Sequence, residues 1–354
     1  MHFDGGVMLE AYQRYTRHKQ LFLMGLFLLL VVTAFVSISV GAVSISFGDI
    51  FSVLMHDAPS KRLELIVYSI RLPQTLTAVV AGAGLAGAGA VMQSVLRNPL
   101  ASPFTLGISH AAAFGAALSV MVLGSGTMGS SLGDAVSISS PLLTLCAAFT
   151  FAMGTATLIT FLARTRGASP EVMVLTGVAL GALFTAGTML LQFFADDVQL
   201  AAMVFWTFGD VARTNWQDLS LLGCVTLILL GYLMVNAMNY NAMDVGDETA
   251  HGLGVRVSRV RLSGMMAASL VTSVIISFVG IIGFVGLVAP HMVRQIIGDD
   301  HRFLLPASIA AGALILLGSD ILARLVLLPH VLPVSIFTAF LGAPVFVGLI
   351  LKRR

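Results

Sequence analysis

The sequence predicts an all-α membrane protein, a single transmembrane domain over residues 1–354 with ten membrane-crossing helices. Three observations predict it. Hydrophobic residues make up 57% of the chain and charged residues 10%, with a mean hydropathy of +0.96. Soluble domains carry roughly 25% charged residues to keep their surface in water, so this class is excluded. The other two observations are the length of the apolar runs and the way basic residues fall between them.

A helix rises about 1.5 Å per residue, so a hydrocarbon core of about 30 Å takes about 20 apolar residues to cross. Ten such runs lie near 21–40, 72–95, 103–123, 140–163, 171–194, 218–238, 262–282, 283–297, 304–328 and 333–351. The first follows Arg14, Arg17 and Lys19, is too long for a signal-peptide core, and stays as a span. The second carries Gly82, Gly84, Gly87 and Gly89, small residues that let helices approach where lipid offers no hydrophobic drive. The eighth is short, follows Gly280 and Gly283, and contains Pro290, the pattern of a broken or partly re-entrant helix shielded by protein. The ninth holds Asp320 four residues before Arg324, the order that pairs on one helix face, which reads as a snorkelling ion pair near the outer interface.

An even number of crossings puts both termini on one side, and both are basic: Arg14, Arg17 and Lys19 at one end, Lys352, Arg353 and Arg354 at the other. Alternation then adds Arg97, Arg164, Arg166, Arg256, Arg259, Arg261, Arg294 and Arg302 to the same side. That makes 14 of the 19 basic residues, against Lys61, Arg62, Arg71, Arg213 and Arg324 opposite. Cytoplasmic loops are enriched in Lys and Arg, so the map places both termini in the cytoplasm of a multi-pass membrane protein.

Chemistry-bearing motifs are few. A phosphate-binding loop needs glycines followed by Lys and Ser or Thr, whereas Lys19, Lys61 and Lys352 precede Gln20, Arg62 and Arg353, so ATP chemistry falls to a separate subunit. His110, His291 and His330 stand singly, and Cys146 and Cys224 lie apart in apolar runs. No metal site, cofactor or disulfide is expected from them. The net charge of +2 gives no case for nucleic acid. An ion-coupled secondary transporter would show several carboxylates at membrane depth, and a membrane enzyme would show clustered His or acidic residues.

Particular stretches say more. They include Arg71-Leu72-Pro73, residues 89–101 (Gly89 through Asn98-Pro99-Leu100-Ala101), Leu106-Gly107-Ile108-Ser109, Gly177 through Gly181, and Trp206 with Gly209. Further on come Ala250 through Gly254, residues 283–291 with Arg294, Asp300-His301-Arg302, Ala323-Arg324 and Gly342-Ala343-Pro344. In order and spacing they resemble the FecCD or BtuC-type permeases, the transmembrane subunits of ABC importers for ferric siderophores, haem and cobalamin. The resemblance implies the type II importer architecture. In it a second permease subunit, usually an identical copy, two cytoplasmic ATPase subunits and a periplasmic or lipid-anchored binding protein carry a metal chelate through the membrane lipid.

It also implies roles for residues. Asn98 and Leu100 are the cytoplasmic gate, with Ser169 to Glu171 a second gate candidate. Arg71 and Arg324 receive acidic residues of the binding protein at the outer mouth. In the inner loop at 239–261, where early acids and Gly254 fit a short surface helix, Asp247, Glu248, Ala250, Leu253 and Gly254 couple to the ATPase. Gly181, Thr185 and Thr188 on the fifth span line the pathway. Two departures from the family stand at the outer mouth: Gln74 replaces an arginine of Arg-Leu-Pro-Arg, and Val331-Leu332-Pro333-Val334-Ser335 replaces Glu-Leu-Pro-x-Gly.

Overall fold

A computed structural model describes residues 5–351 except 42, 129–135, 139, 167–168 and 329; the basic C-terminal residues Lys352, Arg353 and Arg354 lie outside the described residues. In chain order the helices are α1 (Gly5–Ser39), α2 (Phe47–Leu54), α3 (Lys61–Leu65), α4 (Leu72–Val95), α5 (Ile108–Val122), α6 (Pro141–Thr165), α7 (Pro170–Phe194) and α8 (Asp197–Thr207). They continue as α9 (Trp216–Val235), α10 (Ala237–Val245), α11 (Asp247–Gly252), α12 (Val257–Val279), α13 (Val285–Ile297), α14 (His301–Leu325) and α15 (Val334–Leu351). A π-helical turn, Ile66–Arg71, joins α3 to α4 in one rod, and a small hairpin pairs β1 (Gly126–Met128) with β2 (Val136–Ile138) antiparallel.

Every predicted span falls on a helix, but the spans are of two kinds. Seven helices are long and apolar enough to cross a membrane: α1, the rod ending in α4, α6, α7, α9, α12 and α14. The runs at 103–123, 283–297 and 333–351 give shorter apolar helices, Ile108–Val122, Val285–Ile297 and Val334–Val345. At about 1.5 Å per residue, the 13 residues of α13 reach only about 20 Å. The reason is local. Gly280, at φ +79°, ends α12, and residues 280–284 are irregular before α13 begins.

The glycine-rich second span is the axis of the molecule. α4 packs against α9, α12, α13 and α14, and 83% of its apolar window is buried, against 11% for α7. Two close approaches need glycine. A Cβ on Gly82 would lie 2.4 Å from the Gly312 carbonyl oxygen of α14, and one on Gly89 would lie 1.7 Å from that of Gly286 in α13. Among the described residues α1 and α7 are the least covered of the seven long helices.

The short helices α2 and α8 fall outside the ten predicted runs, and each opens on a cap: the Ser46 hydroxyl accepts from the Asp49 amide at the start of α2, and Asp196 with Gln199 forms a capping box at the start of α8. A second capping box, Asn215 with Asp218, opens the long helix α9. Cys146 and Cys224 are free thiols exposed on the outside of the bundle, where lipid-phase residues belong.

Candidate functional site

Buried polar side chains gather at two ends of α4. At its N-terminal end, the outer end of the sequence map, Arg71 from the π turn and Arg324 from α14 converge on the C-terminus of α1. The last carbonyls of a helix lack intrahelical donors and carry partial negative charge, so buried guanidinium groups are suited to them. Arg71 donates through Nη1 to Ile38 O at 2.5 Å and through Nη2 to Val43 O. Arg324 Nη1 donates to Ser37 O at 3.0 Å and Val40 O at 3.1 Å, and its Nη2 donates to Ser37 Oγ at 2.7 Å.

The same Nη2 stands 2.8 Å from Asp320 Oδ2, and Gln74 Nε2 donates to Asp320 Oδ1 at 2.8 Å. Three expectations are corrected here. Arg71 and Arg324 are not displayed at the outer surface, since each is 6% exposed. Asp320 and Arg324 do pair, but buried rather than snorkelling. Gln74 is an internal partner of Asp320, so its departure from the family pattern does not alter an outer surface. The other departure divides: Val331 is exposed, while Ser335 Oγ accepts from the Gly209 amide at 3.2 Å and ties α15 to the loop after α8.

At its C-terminal end, the inner end of that map, the last turn of α4 is held from three sides. Ser94 Oγ donates to Asp244 Oδ1 of α10 at 2.6 Å, and the ring Nε2–H of His301, the first residue of α14, donates to Asp244 Oδ2 at 2.9 Å. Arg261, buried in α12, donates through Nε to Val95 O at 2.7 Å and holds both oxygens of Asp247 with Nη2, at 2.8 and 2.9 Å. Arg294 of α13 donates through Nη1 to Gln93 Oε1 at 2.9 Å and through Nε reaches Asp299 at 2.7 Å. Asn241 of α10 donates to Asp300 Oδ1 at 2.9 Å and accepts the His301 amide at 2.7 Å, locking α10 onto the cap of α14.

Two of these acids have shifted acidities. Desolvation pushes the Asp244 carboxyl up, but the His301 and Ser94 hydrogen bonds outweigh it and hold the group below its ordinary value. At Asp300 desolvation is again opposed, here by Arg302 and Asn241, and the carboxyl is held down at about 2.

These groups border a cavity of about 650 Å³ lined by Gln93, Ser94, Asn98, Pro99, Asn241 and Asp244 among others. Asn98 follows Arg97, whose φ of +47° turns the chain out of α4. Its Oδ1 accepts from the Leu100 amide at 2.9 Å, fixing a tight turn that leaves Leu100 46% exposed. The inner loop forms two helices rather than one, split at Gly246, and residues from 257 on belong to α12. Gly254, at φ +85°, ends α11 as expected: Val255 N donates to Ala250 O and Gly254 N to His251 O, both at 2.9 Å. Asp247 faces Arg261, Ala250 is buried, and Glu248 and Leu253 are exposed.

Asn98 thus lies just past the last turn of α4, and of the expected coupling residues Asp247 reaches that turn through Arg261. The expected pathway residues stand elsewhere. Gly181 packs on Gly107 at the start of α5, and the Thr185 and Thr188 hydroxyls donate to the carbonyls of Gly181 and Phe184 within α7. Ser169 and Glu171 hydrogen-bond each other at the exposed start of α7. Sequence reading did not single out Ser94, Asp244 or Arg261 as site residues. An arginine five residues into an apolar helix was the available signal, because only a partnered one is tolerated there.

The model of the FecCD transport family matches residues 29–352. An ABC transporter permease protein of Methanocaldococcus jannaschii is 46% identical over 343 residues, covering 97% of each chain. The hemin transport system permease of Yersinia pestis is 36% identical, covering 93% of this chain and 95% of its own. The solved inward-facing structure of a metal-chelate type ABC transporter superposes with a TM-score of 0.80 at 30% identity, over 93% of this chain and 98% of that one. With a family model matched over nearly its whole length and relatives of the same extent, the chain belongs to the FecCD transport family, whose members are permease subunits of ABC importers and not themselves enzymes.

Proposed function

We propose that this chain forms half of the pathway by which a metal chelate, such as haem, a ferric siderophore or cobalamin, crosses the cytoplasmic membrane, driven by a separate ATPase. In this reading ten helices cross, the three short ones completing their passage between neighbours and a second, identical copy. Both termini are cytoplasmic. The observation that carries it is the double tie of α4 to α10 and α11, through Ser94–Asp244 and through Arg261.

A rigid link between a surface helix pair and the central helix is what transmission of force from a cytoplasmic ATPase requires. Glu248 and Leu253 give α11 an exposed face for that partner. Asn98 and Leu100, next along the chain, would act as the gate, and the uncovered side of α7 with Thr185 and Thr188 would face the second copy and the pathway. The binding protein would dock on the outer rim that Arg71 and Arg324 hold in place. Because charge steers docking only where it is accessible, exposed Lys61 and Arg62 of α3 take the basic role.

Reconstitution tests the whole reading. Proteoliposomes holding the chain, its ATPase and its binding protein should accumulate the chelate only with ATP, and the chain alone should hydrolyse none. Uptake by the chain alone, driven by an ion gradient, would make it a secondary transporter instead.

A further inference from the structure

Away from α4, a groove of about 620 Å³ runs between α6 and α12. One face comes from Thr157, Thr160, Phe161 and Arg164, the i, i+3, i+4, i+7 stripe of α6. The other comes from α12, where Arg259 stands near the helix start and Leu262 and Met266 follow one and two turns deeper. Arg164 lies in the last turn of α6, so both guanidinium groups sit at the same end of the groove. Neither makes an ion pair or a side-chain hydrogen bond among the described residues, both are exposed, and no acidic residue lines the groove. Deeper in, Phe161, Leu262 and Met266 make it apolar, and Thr160 turns its hydroxyl to Ala156 O at 2.7 Å.

The order of polarity along the groove is that of a phospholipid: paired cations where a phosphate would lie, then hydrocarbon. Anionic headgroups gather at the cytoplasmic leaflet, and basic residues at that depth attract them. We propose that the α6–α12 groove is a binding site for an anionic phospholipid of the inner leaflet, its phosphate held by Arg164 and Arg259 and one acyl chain lying on Phe161, Leu262 and Met266. This rests on the membrane orientation proposed above, which places both arginines on the cytoplasmic side. The site would fasten the cytoplasmic start of α12, from which Arg261 reaches α4 two residues after Arg259.

The test uses the purified chain in detergent, with retained lipid measured by native mass spectrometry after exposure to phosphatidylglycerol, phosphatidylcholine or inorganic phosphate. Phosphatidylglycerol should be retained preferentially, phosphate should not displace it, and Arg164→Gln with Arg259→Gln should weaken retention about tenfold or more. Arg164→Lys with Arg259→Lys should keep most of it, and Met266→Trp, which fills the apolar floor, should lower it with both arginines intact. Arg166→Gln is the control: it removes an exposed arginine just beyond the groove and should change little. An equal loss from Arg166→Gln would reduce the effect to general surface charge, and displacement by phosphate would leave an anion site only. If the double Gln variant keeps its lipid but loses the ATPase in co-purification, the groove is a protein interface and the proposal is overturned. Failure to retain phosphatidylglycerol would overturn the lipid site and leave the permease reading untouched, since reconstituted uptake tests that separately.

Discussion

The two polar clusters at the ends of α4 use the same residue types to opposite effect. At the outer end, Arg71 and Arg324 direct their donors to carbonyls of α1 and to Asp320, all inside the protein. At the inner end, Asp244 and Asn98 border a cavity of about 650 Å³, and Asp247 is about a third exposed. A closed network has one arrangement that satisfies it, whereas one beside a cavity can exchange partners with water or a neighbouring subunit. If the contrast holds, the outer end should hold the bundle and the inner end should move it.

The largest effect should come from breaking the outer clamp. Arg324→Met leaves Asp320 buried without its cation, a loss of about 3–5 kcal/mol for a buried pair, and folded yield should collapse. Replacing both partners, Arg324→Met with Asp320→Leu, should restore much of it, because an apolar pair of similar size carries no unpaired charge. Thermal unfolding of the detergent-solubilised chain reads both. If Arg324→Met folds normally and loses only docking of the binding protein, the outer end is a docking surface and the comparison fails.

The inner ties should cost less stability and more transport. A hydrogen bond to a charged group contributes about 1.5–3 kcal/mol, so Arg261→Gln should lower the melting temperature modestly while ATP-driven uptake falls. Ser94→Ala and Asp244→Asn should be non-additive, with a coupling of about 0.5–3 kcal/mol in a double-mutant cycle, since they address one hydrogen bond. Full additivity would mean that α4 and α10 are not linked through it.

Acid provides a third probe. Asp300 is held down at about 2, below an unfolded value of about 3.9, so the folded state gains stability from it above the unfolded value. That contribution fades as pH falls from about 4 towards 2, as Arg302 and Asn241 lose the carboxylate. Asp244 is shifted in the same direction and adds to the loss. In Asp300→Asn, acid unfolding over this window should be shallower; an unchanged curve would remove the α10–α14 lock from the inner network.

How much of this was legible depended on the kind of signal. The glycines at 82 and 89 announced close packing, and α4 is the axis, because a missing Cβ is visible in sequence. Gly254 announced the end of α11 for the same reason. What stayed hidden was direction. Arg71 and Arg324 read as outer-mouth charges, yet whether an arginine at a helix end reaches out to solvent or in to the carbonyls of α1 depends on how α1 is packed, 33 and 287 residues away in the chain. Ser94 and Asp244 were hidden likewise, since a serine near a helix end is ordinary until an acid 150 residues later meets it. The short α13 was legible, since Gly280, Gly283 and Pro290 announced a broken helix and the chain does break at residues 280–284; hydropathy counts apolar residues and did not show that the runs at 103–123 and 333–351 hold shorter apolar helices.

The smallest stability effect, and the one that tests the inner end as a gate, belongs to Leu100. Its side chain is 46% exposed beside the turn that Asn98 fixes, so Leu100→Ala should change stability by no more than about 0.5 kcal/mol. Asn98→Ala removes the side-chain acceptor of the Leu100 amide and should cost about 0.5–2 kcal/mol, in the range of a lost cap. If the turn serves only to end α4, the effects on leak should follow those on stability, with Asn98→Ala leakier. If Leu100 plugs the pathway between two copies, the order reverses, because an apolar constriction excludes water by its own bulk. Release of a small entrapped dye from proteoliposomes, compared with melting temperatures of the same variants, separates the two. A tight Leu100→Ala would leave this residue as part of an end-cap and place the constriction elsewhere, with α7 and its exposed Leu183 and Met189 the next surface to probe.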